Sequence, residues 1–199
     1  MKRLIYILAV VSLLVFSHYG LGLFSRGLAV SPSPSRNALD CKFESPAKNV
    51  LPFELRLPAS ECRLVEYYGS NVITITVEYP SMEVVKPHRR VNDSSKDSSV
   101  VFWIIRVDME DYRENATTAG LVPFFIYEGV EIYAERGGLK KFTAKDGRSV
   151  FAHDVLDVIS VKRLFGCCFV LKYMYSKKML DIKRMDEFAL GFLEKLKIE

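Results

Sequence analysis

Beyond residue 50, apolar and polar residues alternate along most of the chain, and this alternation restricts the fold more than any other feature of the sequence. Residues 73–79 are an example, because isoleucine, valine and tyrosine occupy the odd positions while threonine and glutamate occupy the even ones. Side chains of a strand point alternately to its two faces, so the pattern is typical of a half-buried strand. Residues 100–109 are apolar on both faces in their first half, which predicts a strand at the centre of a sheet.

Turn sequences between these segments predict antiparallel neighbours. Gly69-Ser70-Asn71, Gly137-Gly138 and Asp146-Gly147 each lie between two alternating segments and are typical of hairpin turns. Gly129 interrupts the alternation of residues 124–134, and we expect a bulge or a bend within one strand there.

The C-terminal segment, residues 181–197, has the periodicity of an amphipathic helix. Its apolar residues recur at intervals of three and four, which places them on one stripe. The members of the stripe are Met185, Phe188, Ala189, Phe192, Leu193 and Leu196. Asp181 is a suitable N-cap for this helix. Strands followed by one terminal helix indicate an α+β fold, in which an antiparallel sheet of seven or eight strands is covered by the helix.

The N-terminal segment predicts a membrane anchor. Lys2 and Arg3 precede an uncharged run of 22 residues, 4–25. As a helix with about 1.5 Å rise per residue, this run would be roughly 33 Å long, enough to cross a hydrocarbon core of about 30 Å. We therefore expect residues 1–26 to be a transmembrane signal-anchor helix whose basic end stays in the cytoplasm.

Cleavage of this segment as a signal peptide is the alternative. Small residues at a suitable spacing occur at Gly20-Leu21-Gly22 and at Gly27-Leu28-Ala29. Either outcome leaves a tether rich in serine and proline, residues 27–40, and one extracytoplasmic domain, residues 41–199. The short basic start and the low cysteine content favour a bacterial envelope. The expected location is the inner membrane, crossed once, with the domain in the periplasm.

Four cysteines, Cys41, Cys62, Cys167 and Cys168, lie in the part of the chain that is expected to be exported, where disulfides are permitted. A Cys41–Cys62 bridge would close a loop of about 20 residues and stabilise the domain by about 3 kcal/mol. Alternatively, one of these two pairs with Cys167 or Cys168, or all four remain free as buried thiols. A bond between the adjacent Cys167 and Cys168 requires a strained ring, and we do not expect it. We interpret residues 165–175 as one strand, with Cys167 on the same face as its core residues.

The charge distribution argues against nucleic acid as a partner. The chain has a formal net charge of +4, but residues 31–199 contain 25 basic and 24 acidic side chains. A nucleic-acid-binding domain usually presents a concentrated basic face. Here basic residues such as Lys162 and Arg163 are interpreted as solvated positions of strands. No cysteine and histidine spacing is typical of a metal site, and neither a metal nor a cofactor is expected.

Residue types of a hydrolytic triad occur close together at Ser149, His153 and Asp154, but no nucleophile-elbow sequence accompanies them. An envelope hydrolase that uses His153 with Ser149 or a nearby acid is therefore an alternative hypothesis. The leading hypothesis is a domain without catalytic activity.

The aromatic residues of the strands are more numerous than one sheet face covered by a single helix can bury. Exposed aromatic side chains mark interaction surfaces. The candidate partner-binding residues are Tyr67, Tyr68, Phe125, Tyr127 and Tyr133.

The anchor, the tether and the surplus of aromatic residues favour a membrane-tethered periplasmic domain that binds another envelope or exported protein. This organisation is similar to that of bacterial envelope immunity proteins, which are small anchored domains that neutralise an exported toxin, and the similarity implies an inhibitor-type role. A structural accessory of an envelope or secretion complex is a further interpretation.

The anchor hypothesis predicts that the mature protein keeps its N-terminus, because an uncleaved signal remains in the membrane as a helix. N-terminal sequencing of protein extracted from membranes measures this directly. A mature start after Gly22 or after Ala29 would contradict the anchor and leave a released periplasmic domain.

Overall fold

The computed structural model of the chain describes residues 33–34, 40–46, 51–87, 98–108, 112, 118–134, 138–179 and 181–198. The predicted anchor, residues 1–26, and most of the tether lie outside these residues. Within them, neither helix combines the length and the apolar character that a membrane crossing requires.

Thirteen strands and two helices are present in the described part of the chain. In chain order, they are β1 (Ser33–Pro34), β2 (Asp40–Phe43), β3 (Phe53–Arg56), α1 (Ala59–Cys62), β4 (Glu66–Tyr67), β5 (Val72–Glu78), β6 (Glu83–Val85), β7 (Ser99–Arg106), β8 (Phe125–Tyr127), β9 (Val130–Tyr133), β10 (Leu139–Thr143), β11 (Ser149–Val155), β12 (Val158–Phe165), β13 (Phe169–Ser176) and α2 (Ile182–Leu196).

Ten of these strands form one antiparallel sheet in the order β4-β5-β7-β13-β12-β11-β10-β9-β8, with β6 paired to β5. The other three form a small sheet in the order β1-β2-β3. The predicted α+β fold with an antiparallel sheet and a C-terminal helix is therefore confirmed, and β7 is central as expected, since it lies between β5 and β13. The predicted number of seven or eight strands is too small.

One tight turn explains one of the additional strands, and a second turn shortens another predicted strand. Glu128 and Gly129 both have positive φ, 49° and 75°, so they form a two-residue turn between β8 and β9 instead of the expected bulge or bend within one strand. Residues 166–168 form the turn between β12 and β13, and β13 begins only at Phe169. The interpretation of residues 165–175 as one strand was wrong, and Cys167 is exposed in the turn.

Helix α2 covers one face of the large sheet. Its side chains at the predicted stripe positions are all buried, and the Asp181 carboxylate caps the helix by accepting the N–H groups of Lys183 and Arg184. The ring of Phe192 stacks on Phe102 of β7, with 5.2 Å between the ring centroids. This packing confirms the predicted N-cap and the predicted core face of the helix.

The small sheet packs on the same face as α2, at the β4 side of the large sheet. Phe53 of β3 contacts Tyr67 and Phe169, with ring centroids 6.0 and 6.2 Å apart. A disulfide between Cys41 of β2 and Cys62 of α1 ties this sheet to the segment that leads into β4. The first of the disulfide pairings considered from the sequence is thereby confirmed.

Replacing Phe192 with alanine is expected to lower the free energy of unfolding by about 3–5 kcal/mol, because the ring is fully buried against Phe102. Glu194→Ala, on the exposed side of the same helix, is the matched control and is expected to change it by less than about 0.5 kcal/mol. Thermal unfolding of the extracted protein measures both. An unshifted melting temperature for Phe192→Ala would contradict the core position of the helix.

Candidate functional site

An exposed apolar strand forms one edge of the large sheet. Between 47% and 76% of the surface of each large apolar side chain in this segment is exposed. We call this surface the edge patch, and its residues are Val122, Phe124, Phe125, Ile126 and Tyr127. Natural sheets usually protect such an edge with charged side chains or with a covering element. Residues 121–127 contain no charged residue, so this edge lacks the usual charged protection.

Both faces of β8 are exposed, although neighbouring side chains of a strand point to opposite sides. Phe125 and Tyr127 point to one face and Ile126 to the other. Neither α2 nor the small sheet extends over this end of the sheet far enough to bury them. A half-buried strand would expose side chains on only one face, whereas β8 exposes them on both. The edge patch is therefore available to a partner from both faces.

The backbone of β8 also has hydrogen-bonding capacity on its outer side. Tyr127 lies opposite Val130 and closes the two-residue turn, so this pair is the hydrogen-bonded type. Bonded and non-bonded pairs alternate along an antiparallel ladder, and Ile126, opposite Glu131, therefore directs its N–H and C=O away from β9. An additional strand could pair with these groups.

The hairpin that carries the edge patch is held at both ends. At its base, Tyr133, Leu139 and Phe151 form a small buried cluster with Leu121 packed against it. At its tip, the Lys183 ammonium of α2 donates a hydrogen bond to the C=O of Glu128. The patch is therefore presented by an anchored hairpin, which lowers the entropic cost of binding.

The structure divides the five candidate partner-binding residues. Phe125 and Tyr127 belong to the edge patch, and Tyr68 is exposed at the opposite edge of the sheet, next to β4. Tyr67 and Tyr133 are buried and are not part of any surface. Tyr67 alternates with the exposed Tyr68 and packs its ring against Phe43 and Phe53, because its side of β4 faces the small sheet.

Val122, Phe124 and Ile126 were not recognised from the sequence. Their signal is the uninterrupted apolar run of residues 121–127, which shows no alternation and resembles a fully buried strand. Composition alone does not distinguish a strand buried on both faces from one exposed on both faces.

A buried charged network lies between β12 and α2. Arg163 is fully buried and donates to the carboxylates of Asp186 and Asp146 and to the C=O of Leu164, the last at 3.2 Å. The Tyr173 hydroxyl donates to Asp186 at 3.1 Å. The interpretation of Arg163 as a solvated position was wrong, because its position on β12 faces the helix.

Electrostatics in this network favour a structural role. Burial raises the pKa of Asp186, and the Arg163 guanidinium opposes that rise. Burial also raises the pKa of the Tyr173 hydroxyl, so it remains a hydrogen-bond donor at neutral pH. All three nitrogen atoms of Arg163 donate to protein oxygens, and no part of the guanidinium is directed at an outside ligand. The network fixes α2 on the sheet.

A cleft of about 620 Å³ opens beside this network, between α2 and the turn from β10 to β11. In the lining of this cleft, the Lys145 ammonium already forms an ion pair with the Glu187 carboxylate at 2.8 Å. Within the described residues, no group of three or more histidine, cysteine, aspartate or glutamate side chains is placed to hold a metal ion.

Ser149 and His153 both lie on β11, four residues apart. At about 3.3 Å per residue, their Cα atoms are separated by roughly 13 Å along the strand. This separation is too large for a hydrogen bond between the two side chains, so the structure does not bring the proposed nucleophile and base together.

No protein-family model, no curated protein and no solved structure matches this chain.

Two buried tyrosines of β13 provide a matched test of the network. The Tyr173 hydroxyl bonds to Asp186, whereas the Tyr175 hydroxyl has no hydrogen-bond partner among the residues that the structure describes. Tyr173→Phe is expected to lower the free energy of unfolding by about 1.5–3 kcal/mol, because it removes a bond to a charged group. Tyr175→Phe is expected to raise it by about 1 kcal/mol, because it removes a buried, unsatisfied hydroxyl. Denaturant unfolding measures both free energies. Equal changes for the two variants would contradict the hydrogen bond between Tyr173 and Asp186.

Proposed function

We propose that this chain is a membrane-tethered envelope protein whose domain binds another exported protein through the edge patch. The observation that carries the proposal is the uncharged edge strand β8, whose side chains are exposed on both faces. A contiguous exposed apolar surface of this kind is typical of an interaction site.

The proposed partner contributes an extended, apolar segment that adds to the sheet beside β8. Its main chain pairs with the outward N–H and C=O of Ile126, and its alternate side chains contact the two exposed sets of the edge patch. Pro123 has no N–H and precedes β8, so the pairing is confined to the few residues after it. Main-chain pairing over so short a strand supplies little affinity alone, and the five apolar side chains provide most of the contact area.

Export and tethering are consistent with two further features. The Cys41–Cys62 disulfide suits an oxidising compartment such as the periplasm. An anchor of residues 1–26 and a tether of residues 27–40 would hold the domain at the membrane and raise its effective concentration for a partner there. An inhibitor or immunity-type protein that covers an exported toxin would use such a surface, and so would an accessory of an envelope complex.

Photo-crosslinking in intact cells identifies what occupies the edge patch. A photoreactive residue at position 126 is expected to crosslink to an exported protein, and the same residue at exposed Leu51, outside the patch, is the control. Crosslinks from position 126 to lipid, to a second copy of the chain or to nothing would each contradict the proposal.

Replacing Ile126 with proline in the purified complex then tests strand addition. The N–H of Ile126 points away from β9, so proline removes an outward donor while the pairing of β8 with β9 remains. Affinity for the crosslinked partner is expected to fall at least about tenfold, as it is for Ile126→Glu, whereas Leu51→Glu is expected to bind normally. A partner that binds all three variants equally does not use this edge.

A further inference from the structure

The turn between β12 and β13 presents two adjacent free thiols. Phe165 pairs with Phe169, so Gly166, Cys167 and Cys168 form a three-residue hairpin turn. Gly166 has a φ of 59°, in the left-handed region that glycine adopts at little cost. Cys167 is exposed and Cys168 is half-buried. The turn is fixed at Cys168, whose C=O accepts the N–H of Val107 at 2.9 Å.

Two arginines flank this turn. The Arg148 guanidinium donates to the C=O of Gly166 at 3.5 Å. Arg106 lies on the other side, where its charge acts on the Cys168 thiol and its guanidinium stacks over the Phe169 ring at 5.2 Å. On that side of the turn, the acidic residue Asp108 and Arg106 both line a small open cleft. Guanidinium groups near a partly exposed thiol are typical of reactive cysteines, and here they lie beside Gly166 and Cys168, the two chain neighbours of Cys167.

The two cysteine pairs of the chain differ in access. Cys41 and Cys62 are bonded to each other and buried, so solvent thiols do not reach them. Cys167 and Cys168 are adjacent, and their Cα atoms are about 3.8 Å apart across a trans peptide, closer than in most disulfides. Closing a bond between them is therefore strained.

We propose that Cys167 is an S-thiolation site that reacts with disulfides of small, carboxylate-bearing thiols and retains the thiol as a mixed disulfide. The Cys167 thiolate attacks one sulfur of the small disulfide, a new S–S bond forms to Cys167, and the old S–S bond breaks. The displaced thiolate takes up a proton, so one half of the reagent is reduced while Cys167 is oxidised. Arg106 and Arg148 pair with the carboxylates of the incoming group, and strain prevents Cys168 from displacing it.

Oxidised glutathione is the probe for this reaction with the extracted full chain under native conditions. Intact-mass measurement and peptide mapping are expected to find one glutathione per chain, on Cys167. Cys167→Ser is expected to abolish the adduct, and Cys168→Ser to preserve it, because Cys168 takes no part in forming the bond. Unchanged circular dichroism of both variants shows that they are folded.

The cationic disulfide cystamine tests the role of the arginines. The wild-type chain is expected to react faster with oxidised glutathione than with cystamine at low salt. Arg148→Gln is expected to lower this preference by about tenfold, because loss of one unit charge at roughly 6 Å in water changes each of the two rates by about threefold, in opposite directions. A preference that Arg148→Gln leaves unchanged, an adduct on Cys168, a Cys167–Cys168 disulfide or a covalent dimer of two chains would each overturn the proposal.

Discussion

Packing of α2 against the ten-stranded sheet is the interaction on which the remaining features of the domain depend. The helix contributes the Phe192 ring to the centre of the sheet and the Asp186 carboxylate to the buried network with Arg163. Its first turn also supplies Lys183, which bonds to the hairpin that carries the edge patch. Removing the helix would therefore expose one sheet face and release the tip of the edge hairpin.

The apolar and the ionic contacts of α2 have different consequences. Burial of the stripe drives association with the sheet, but apolar contacts tolerate small shifts of a helix along its axis. The Arg163–Asp186 pair has directional geometry, and leaving either charge buried without its partner would cost several kcal/mol. The ion pair thus selects one position of the helix, and that position places Lys183 beside Glu128.

The order of the strands in the large sheet leaves an apolar strand at its edge. β7 is central, β8 is terminal, and five strands lie between them in the sheet. Between β7 and β8 in the chain, Tyr112 lies against the Lys162 ammonium at 5.3 Å, on the face of β12 opposite to Arg163 and α2. Among the described strands, β8 pairs only with β9, on its inner side. Its outer side and the edge patch are left without a neighbour in the described part of the chain.

The sequence by itself determined the local structure. Alternation predicted the buried face of β5, and the apolar run of residues 100–109 predicted the central position of β7. Turn residues predicted the hairpins at Gly137-Gly138 and Asp146-Gly147, and the apolar stripe predicted α2 with its N-cap. These features depend on backbone geometry and on side chains within a few residues of each other. The Cys41–Cys62 pairing was one of several permitted by the sequence, and the structure selected it.

Only the tertiary structure decided which of these elements became neighbours. The sequence does not reveal that Arg163 of β12 meets Asp186 of α2, since an arginine in a strand usually faces water. It does not separate buried Tyr67 from exposed Tyr68, and it gives the apolar run of residues 121–127 the appearance of a core strand. The physical reason is that burial at these positions depends on strand order and on which parts of the sheet α2 and the small sheet cover. Both follow from contacts between residues far apart in the chain, which no local pattern encodes.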